Sequence, residues 1–132
     1  MPILSEKNLT VIRKKGTLPR VPFAKLKTAV LGKNYDLTIS FISPNESVKI
    51  NKTYRKKDYV ANVLSFPLGK ESGELYLSLS QIRRDAKKFN LTYHNNIIFM
   101  VIHGMLHLKG EHHGSTMERN EARFLKKFCA TK

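Results

Sequence analysis

The sequence predicts a protein that mixes α-helices and β-strands, of the α+β or α/β class. Four short segments rich in β-branched and aromatic residues alternate with segments whose apolar residues recur at helical spacing. One helical segment, residues 95–108, is apolar nearly all round, which is typical of a helix buried in the middle of a domain. The 132 residues contain no internal repeat and no long linker, so we expect one domain, residues 1–132.

The predicted sheet has about four strands. Residues 8–12 (NLTVI) and 37–42 (LTISFI) are the first two, because Thr, Val, Ile and Phe fit a pleated, half-buried surface. Residues 63–66 (VLSF), which stop at Pro67, and residues 74–79 (ELYLSL) are two further strands.

Prolines and capping boxes indicate where three of the helices begin. Pro22 opens a helix that places four apolar residues on one side: Phe23, Leu26, Ala29 and Val30. Ser43-Pro44-Asn45-Glu46 is a capping box with proline at the first helical position, so a helix should run from there toward Tyr54. The segment Ser115-Thr-Met-Glu118 is a second capping box. It starts a last helix whose buried face holds Met117, Phe124, Leu125 and Phe128.

A further helix is predicted over residues 79–89, with its Arg and Lys side chains outward. Its inward residues would be Leu79, Ile82, Ala86 and Phe89. The buried helix over residues 95–108 follows it and would lie at the centre of the domain.

The charge of the chain points to a polyanionic partner. Twenty-four Lys and Arg face ten acidic residues, which gives a net charge of +14 and a pI near 10.1. Nucleic acid is the first candidate, and a generic basic surface or an anionic membrane is the alternative. The basic residues form clusters instead of one long block: Arg13-Lys14-Lys15, Arg55-Lys56-Lys57, Arg83-Arg84 with Lys87-Lys88, and Lys126-Lys127.

Cysteine usage and hydropathy favour a protein of the cytoplasm. The single cysteine, Cys129, has no partner for an internal disulfide and fits a reducing compartment. The first 25 residues contain no apolar signal-peptide core. The apolar run Ile97–Ile102 is far shorter than the ~20 residues that cross a bilayer, so we expect no membrane segment.

The stretch HGMLHLKGEHH, residues 103–113, has the spacing of a metal site. His103 and His107 are four apart on the predicted buried helix, so their imidazoles project from one face. Gly110 can end that helix in the left-handed conformation, which lets His113 return as a third ligand. A single histidine on such a helix is usually a hydrogen-bonded core residue, but three at this spacing favour a metal. Three protein ligands with an open fourth position are typical of catalytic zinc.

The same spacing matches H-E-x-x-H-x-x-G-x-x-H, a pattern of zinc proteases, at every ligand and at the glycine. His112 competes with His113 as the third ligand, and this match favours His113. The protease pattern places the glutamate that deprotonates a zinc-bound water after the first histidine. Gly104 occupies that position here, which argues against proteolysis.

Several motifs together resemble one known family. HGMLHLKGEHH is similar to the H-G-x-L-H-L-x-G-Y-D-H signature of the YbeY family, bacterial metal-dependent endoribonucleases that mature ribosomal RNA. Asn51-Lys-Thr-Tyr-Arg55, followed by Ala61-Asn-Val-Leu-Ser-Phe-Pro67, resembles the family's N-x-x-Y-R…T-D-V-L-S-F-P. Gly73-Glu-Leu-Tyr-Leu-Ser78 is similar to its G-D-I-x-I-S strand, and Met117 with Glu121 to its M-x-x-x-E.

The resemblance implies an α+β fold, a mixed sheet of a few strands flanked by helices, with the metal at one end of a positively charged cleft. It assigns the metal ligands to His103, His107 and His113, and a functional arginine to Arg55. Two departures from the family are visible: Glu111 and His112 replace its Tyr-Asp, and Asn62 replaces the Asp of T-D-V. An acidic partner for a ligand imidazole is therefore absent at position 112, and Glu111 is a candidate replacement.

From these observations and the resemblance we expect a zinc-dependent endoribonuclease of the single-strand type, with one Zn²⁺ per chain. Its partners would be ribosomal RNA and the small ribosomal subunit, and its role would be RNA maturation and subunit quality control. Arg55 would bind a phosphate through two parallel hydrogen bonds, with Lys56 and Lys57 also binding substrate. A non-catalytic RNA-binding assembly factor with a fold-supporting metal is the main alternative, and a metallopeptidase is the weaker one. The general base is left unassigned.

Overall fold

The computed structural model describes residues 2–14, 17 and 19–129 of the chain. Its five strands are β1 (Pro2–Glu6), β2 (Leu9–Arg13), β3 (Asp36–Phe41), β4 (Val63–Gly69) and β5 (Ser72–Leu77). Its α-helices are α1 (Phe23–Val30), α2 (Pro44–Arg55), α3 (Leu79–Asp85), α4 (Tyr93–Leu108) and α5 (Ser115–Phe128), and a 3₁₀ turn covers Ala86–Phe89.

The strands form one mixed sheet in the order β1-β2-β3-β5-β4. The pairs β2–β3 and β3–β5 are parallel, and the outer pairs β1–β2 and β4–β5 are antiparallel. The expected α+β fold with a mixed sheet is confirmed, and all four predicted strands are present. Strand β1 was not predicted, because its sequence PILSE lacks the β-branched and aromatic run that marks the other strands.

The core lies on the sheet face that packs against α1, α3 and α4. Alternate residues of the three central strands point into it: Leu9, Val11, Leu37, Ile39, Phe41, Leu75 and Leu77. Helix α4 contributes apolar residues from several sides, including Ile98, Ile102 and Met105. The predicted central buried helix is thereby confirmed, although it begins at Tyr93 with Thr92 as its N-cap. None of the helices in the described part of the chain is long and apolar enough to cross a membrane.

The helix starts agree with the sequence in one case and differ in two. The box at Ser43 forms as predicted: its hydroxyl accepts the Glu46 N–H at 3.1 Å, and the Glu46 carboxylate accepts the Ser43 N–H at 3.5 Å. Pro22 is the N-cap of α1, which begins one residue later. The second box is wrong, because Ser115 is already helical and the N-cap is Gly114. The backbone there has φ +154°, which an L side chain rarely adopts.

The inward-facing residues of the predicted 79–89 helix are correct except at its end. Leu79, Ile82 and Ala86 are buried, but Phe89 is 46% exposed. The reason is that the α-helix stops at Asp85 and continues as a 3₁₀ turn. Three residues per turn rotate position 89 away from the face that an α-helix would present.

Candidate active site

The three predicted histidines lie together at one end of α4. His103 and His107 project from this helix, and one nitrogen of each, with one of His113, lies within 4.8 Å of the others. Their ring centroids are 4.7 to 5.2 Å apart. His112 is exposed and is not a member of this group. Three imidazole nitrogens at this spacing can hold one metal ion.

The return of His113 depends on how α4 ends. Gly110 has φ +103°, the left-handed conformation predicted for it. The Gly110 N–H donates to the His107 carbonyl at 3.0 Å, and the Glu111 N–H donates to the Leu106 carbonyl at 3.0 Å. These bonds close the last turn and reverse the chain, which carries His113 back to the two helical histidines.

Hydrogen bonds on the far side of the rings fix which nitrogens face the centre of the group. Nδ1 of His107 donates to the main-chain carbonyl of Glu111 at 3.0 Å. Nδ1 of His103 contacts the carboxylate of Glu121 on α5. Because both oxygens accept, each Nδ1 carries the proton and each Nε2 presents its lone pair. Such an arrangement is typical of metal-binding histidines.

The protonation of His107 also suits metal binding. Burial of the ring, and then the neighbouring His103, lower the pKa of His107 from its ordinary value. The neutral imidazole, which is the form that binds a metal, is therefore favoured.

Glu111, one of the two residues that depart from the family signature, does not orient a histidine in the way that the sequence suggested. Glu111 orients His107 through its main-chain carbonyl, not through its carboxylate. That carboxylate instead accepts hydrogen bonds from Nδ2 of Asn120 at 3.0 and 3.1 Å. The acidic partner of His103 is Glu121, to which sequence reasoning gave a motif match but no role.

Gly104 is the point where α4 comes closest to the sheet. A Cβ added at Gly104 would lie 2.8 Å from a methyl of Leu75 and 3.0 Å from a methyl of Val63. The Ser65 hydroxyl donates to the Gly104 carbonyl at 3.0 Å and closes the same contact. The position where the proteases carry their glutamate is therefore filled by the sheet, and it has no room for a side chain.

The histidines open into a cavity of about 630 Å³. Arg55, at the end of α2, and the loop from Tyr59 to Asn62 line another part of its wall, and Lys88 lines a third. The structure thus brings Arg55 and the three histidines to one cavity. Lys56 and Lys57 are exposed just beyond α2 and are not among the described residues that line it.

A polar network centred on Asp85 forms part of the same wall. Its carboxylate accepts hydrogen bonds from Nδ2 of Asn62 and Nε2 of Gln81, each at 3.1 Å, and lies 3.6 Å from the Lys88 ammonium. An aspartate at position 62, as in the family motif, would face Asp85 with a second carboxylate. The amide of Asn62 provides the donor that Asp85 accepts. Sequence reasoning missed Asp85, because the link to Asn62 joins residues 23 positions apart.

Comparisons with known proteins identify the family. The family model described as Endoribonuclease YbeY matches residues 10–130. A Malacoplasma penetrans protein named Endoribonuclease YbeY is 35% identical over 129 residues, covering 92% of this chain and 80% of that protein. The protein of that name from Methylobacillus flagellatus is 32% identical over 108 residues, covering 76% of this chain and 72% of its own. A third, from Alkaliphilus oremlandii, is 34% identical over 90 residues, covering 61% of this chain and 60% of its own.

A protein of known solution structure from Thermotoga maritima shares the fold. It superposes with a TM-score of 0.58 at 24% identity, over 89% of this chain and 87% of that one. The structural match and the sequence match each cover most of the chain. The chain therefore belongs to the endoribonuclease YbeY family.

Proposed function

We propose that this protein is a metal-dependent endoribonuclease that cleaves ribosomal RNA in the cytoplasm, during maturation and quality control of the small ribosomal subunit. The observation that carries the proposal is that Arg55 and the three-histidine group line one cavity. The net charge of +14 favours a polyanionic substrate. The name shared by its relatives, Endoribonuclease YbeY, supports the reaction class.

His103, His107 and His113 would hold the metal, which we propose to be one Zn²⁺ per chain. Three imidazole donors with an open fourth position suit zinc in a catalytic role. When bound, the ion supplies a Lewis acid that stabilises negative charge developing on a phosphate oxygen. Glu121 and the Glu111 carbonyl keep His103 and His107 in the tautomer and orientation that this requires.

Arg55 would bind the phosphate that is cleaved. Nη1 of its guanidinium donates to Oδ1 of Asn51 at 3.2 Å, and no second partner of the guanidinium is found among the described residues. Its other N–H groups would form parallel bonds with phosphate oxygens. Lys56 and Lys57 lie outside the cavity, so we assign them to attraction of the flanking RNA backbone. They would raise affinity without touching the reacting atoms.

The alternative is an RNA-binding assembly factor without cleavage. It is favoured by the hydrogen bonds of three carboxylates near the site: Glu121 contacts His103, both oxygens of Asp85 accept hydrogen bonds, and Glu111 accepts from Asn120. None of the three is left free to act as a general base for RNA. A metallopeptidase is disfavoured by the close packing at Gly104.

A cleavage assay on structured ribosomal RNA fragments tests the proposal. We expect His107→Ala and Arg55→Ala each to lower the cleavage rate by roughly 10²-fold or more, the scale of losing one electrostatic contact to a transition state. Arg119→Ala, which removes an exposed cation on α5, is the matched control and should leave the rate unchanged. Equal rates in all four identically purified proteins would refute the cleavage function.

A further inference from the structure

Asn51 forms hydrogen bonds with two residues that line the cavity. It is fully buried on α2, and both polar atoms of its side chain are bonded. Its Oδ1 accepts from the Arg55 guanidinium at 3.2 Å, and its Nδ2 donates to the main-chain carbonyl of Tyr59 at 3.0 Å. Its own carbonyl also accepts the Lys57 N–H at 3.3 Å. The segment from Arg55 to Tyr59 is therefore folded around one buried amide.

Tyr59 is an exposed aromatic residue of the cavity wall. It is 52% exposed, and the wall also includes Arg55 and the three histidines. Two other exposed aromatic residues pack edge-on against a neighbouring ring, Tyr54 on Phe66 at 5.4 Å and Phe89 on Phe99 at 5.5 Å. Tyr59 has no such ring partner among the described residues. Its ring is thus available to a planar ligand.

We propose that one unpaired base of the RNA stacks on Tyr59, and that Asn51 is a positioning residue that fixes Tyr59 relative to Arg55. The inference rests on the proposed RNA substrate. Arg55 supplies the group that binds a phosphate, and Tyr59 supplies an apolar face for the attached base. The segment from Arg55 to Tyr59 would then bind both the phosphate and the base of a single nucleotide.

The net charge of the protein favours RNA over another protein as the ligand that covers Tyr59. An aromatic side chain of another protein could also cover Tyr59, but this residue lines the same cavity as Arg55 and Lys88 on a chain of charge +14. A polyanion whose monomers carry both a phosphate and a planar ring matches this combination. Stacking of this kind tolerates any base, because every base has a π-face.

Binding of a short single-stranded RNA, 2′-O-methylated and shown to be intact after each measurement, tests the stacking. The oligonucleotide is compared with versions that carry one abasic site, moved along the chain. For the native protein, we expect one abasic position to cost about tenfold in affinity, the scale of one stacked base. Tyr59→Ala should cost about as much on intact RNA and then show no further loss at that position. Tyr59→Phe should restore the native pattern.

Tyr54→Ala and Phe89→Ala are the matched controls. Each removes another exposed ring, at 70% and 46% exposure, and its effect should be independent of the abasic site. If the losses from Tyr59→Ala and from the abasic site add at every position, the ring does not stack on a base and the inference is overturned.

A second arm tests Asn51. Asn51→Asp keeps the acceptor for Arg55 but removes the N–H that holds the Tyr59 carbonyl, and Asn51→Ser serves if the buried carboxylate prevents folding. We expect faster amide hydrogen exchange in residues 56–61. We also expect loss of the coupling between Tyr59 and the abasic site, which means that the affinity losses from Tyr59→Ala and from the abasic site become additive. Unchanged coupling in a folded variant would overturn the positioning role.

The binding readout separates this inference from the proposed activity. Coupling without any cleavage would support the stacking and refute the nuclease. Cleavage that depends on Arg55 but shows no coupling would refute the stacking alone. A protein that binds neither oligonucleotide and does not cleave the ribosomal RNA fragments would refute both.

Discussion

At the scale of single residues, Gly104 shows how packing limits chemistry. Two effects of Gly104→Ala oppose each other: alanine favours a helix over glycine by ~1 kcal/mol, but its methyl would meet Leu75 at 2.8 Å and Val63 at 3.0 Å. Overpacking of this kind costs about 1–3 kcal/mol, so we expect a net loss of about 1 kcal/mol.

Chemical denaturation of Gly104→Ala tests this expectation. Gly69→Ala is the control, because its added Cβ would find its nearest neighbour, in Ser72, at an ordinary 4.0 Å. If Gly104→Ala proved as stable as the native protein, α4 would not be held against the sheet as closely as described.

Glu121 is a residue whose contribution to the proposed metal site can be tested by itself. Its carboxylate contacts Nδ1 of His103 from α5, whereas His103 and His107 lie on α4 and His113 lies between the two helices. We expect Glu121→Gln to weaken metal binding by roughly 10- to 100-fold, the usual effect of removing such a partner. Competition with a chelator measures this affinity, and Glu118→Gln, an exposed carboxylate on the same helix, is the control. Equal affinities in the two variants would mean that Glu121 does not orient His103.

Local spacing made the three histidines and Gly110 predictable. His103 and His107 share a helical face by their separation, and the glycine marks the turn that follows. The partners of these residues were harder to predict. Glu121 is 18 positions from His103, and Asp85 is 23 positions from Asn62. Such contacts depend on how helices and strands pack, which the spacing of residues along the chain does not encode.

At the scale of secondary structure, the end of α1 depends on one buried cation. Nζ of Lys27 donates to the carbonyls of Gly32, Lys33 and Tyr35 at 3.3, 2.9 and 2.8 Å. Burial lowers the pKa of this ammonium, while the charge of Asp36 opposes the shift. The side chain therefore holds the turn that leads from α1 into β3.

We expect Lys27→Met to destabilise the fold by about 2–3 kcal/mol, because it fills similar volume but leaves the buried Tyr35 carbonyl without a donor. The Gly32 and Lys33 carbonyls would each keep one longer bond, at 3.4 Å. Thermal or denaturant unfolding measures the change, with Lys25→Met, at an exposed position of the same helix, as control. Equal stability of the two variants would show that water replaces the lost donor without cost.

The elements that the sequence predicted are those with strong local signals. The apolar segment that forms α4 and the capping box at Ser43 are both examples, and both formed where expected. The errors lie where two local signals compete. At the start of α5, the conformation of Gly114 overrides the box pattern of Ser115, and at Phe89 the change to a 3₁₀ turn redirects the side chain. Strand β1 pairs with β2 across a turn at Asn8, whose φ of +66° a periodicity argument does not detect.

At the scale of the whole molecule, the net charge of +14 predicts strongly salt-dependent RNA binding. Arg55 lines the cavity and Lys56 and Lys57 follow it directly in the chain, whereas Lys126 and Lys127 lie at the end of α5. We expect reversal of the first cluster to glutamate to weaken RNA binding far more than reversal of the second, measured at matched ionic strength. Equal losses from both sets would indicate a diffuse field around the protein instead of a defined cleft.

The substitution Arg55→Lys tests the central claim, catalysis by a metal site and Arg55 in one cavity, most directly. Lysine keeps the charge but loses the planar fork of the guanidinium, so it attracts RNA but cannot bind a phosphate through two parallel bonds. Cleavage and binding are measured on the same ribosomal RNA fragment, with His107→Ala purified identically alongside. We predict nearly native RNA affinity for Arg55→Lys, with cleavage lowered by roughly 10²-fold or more. Cleavage that continued unchanged in both variants would contradict the account, because neither the guanidinium nor the histidine group would then belong to the active site.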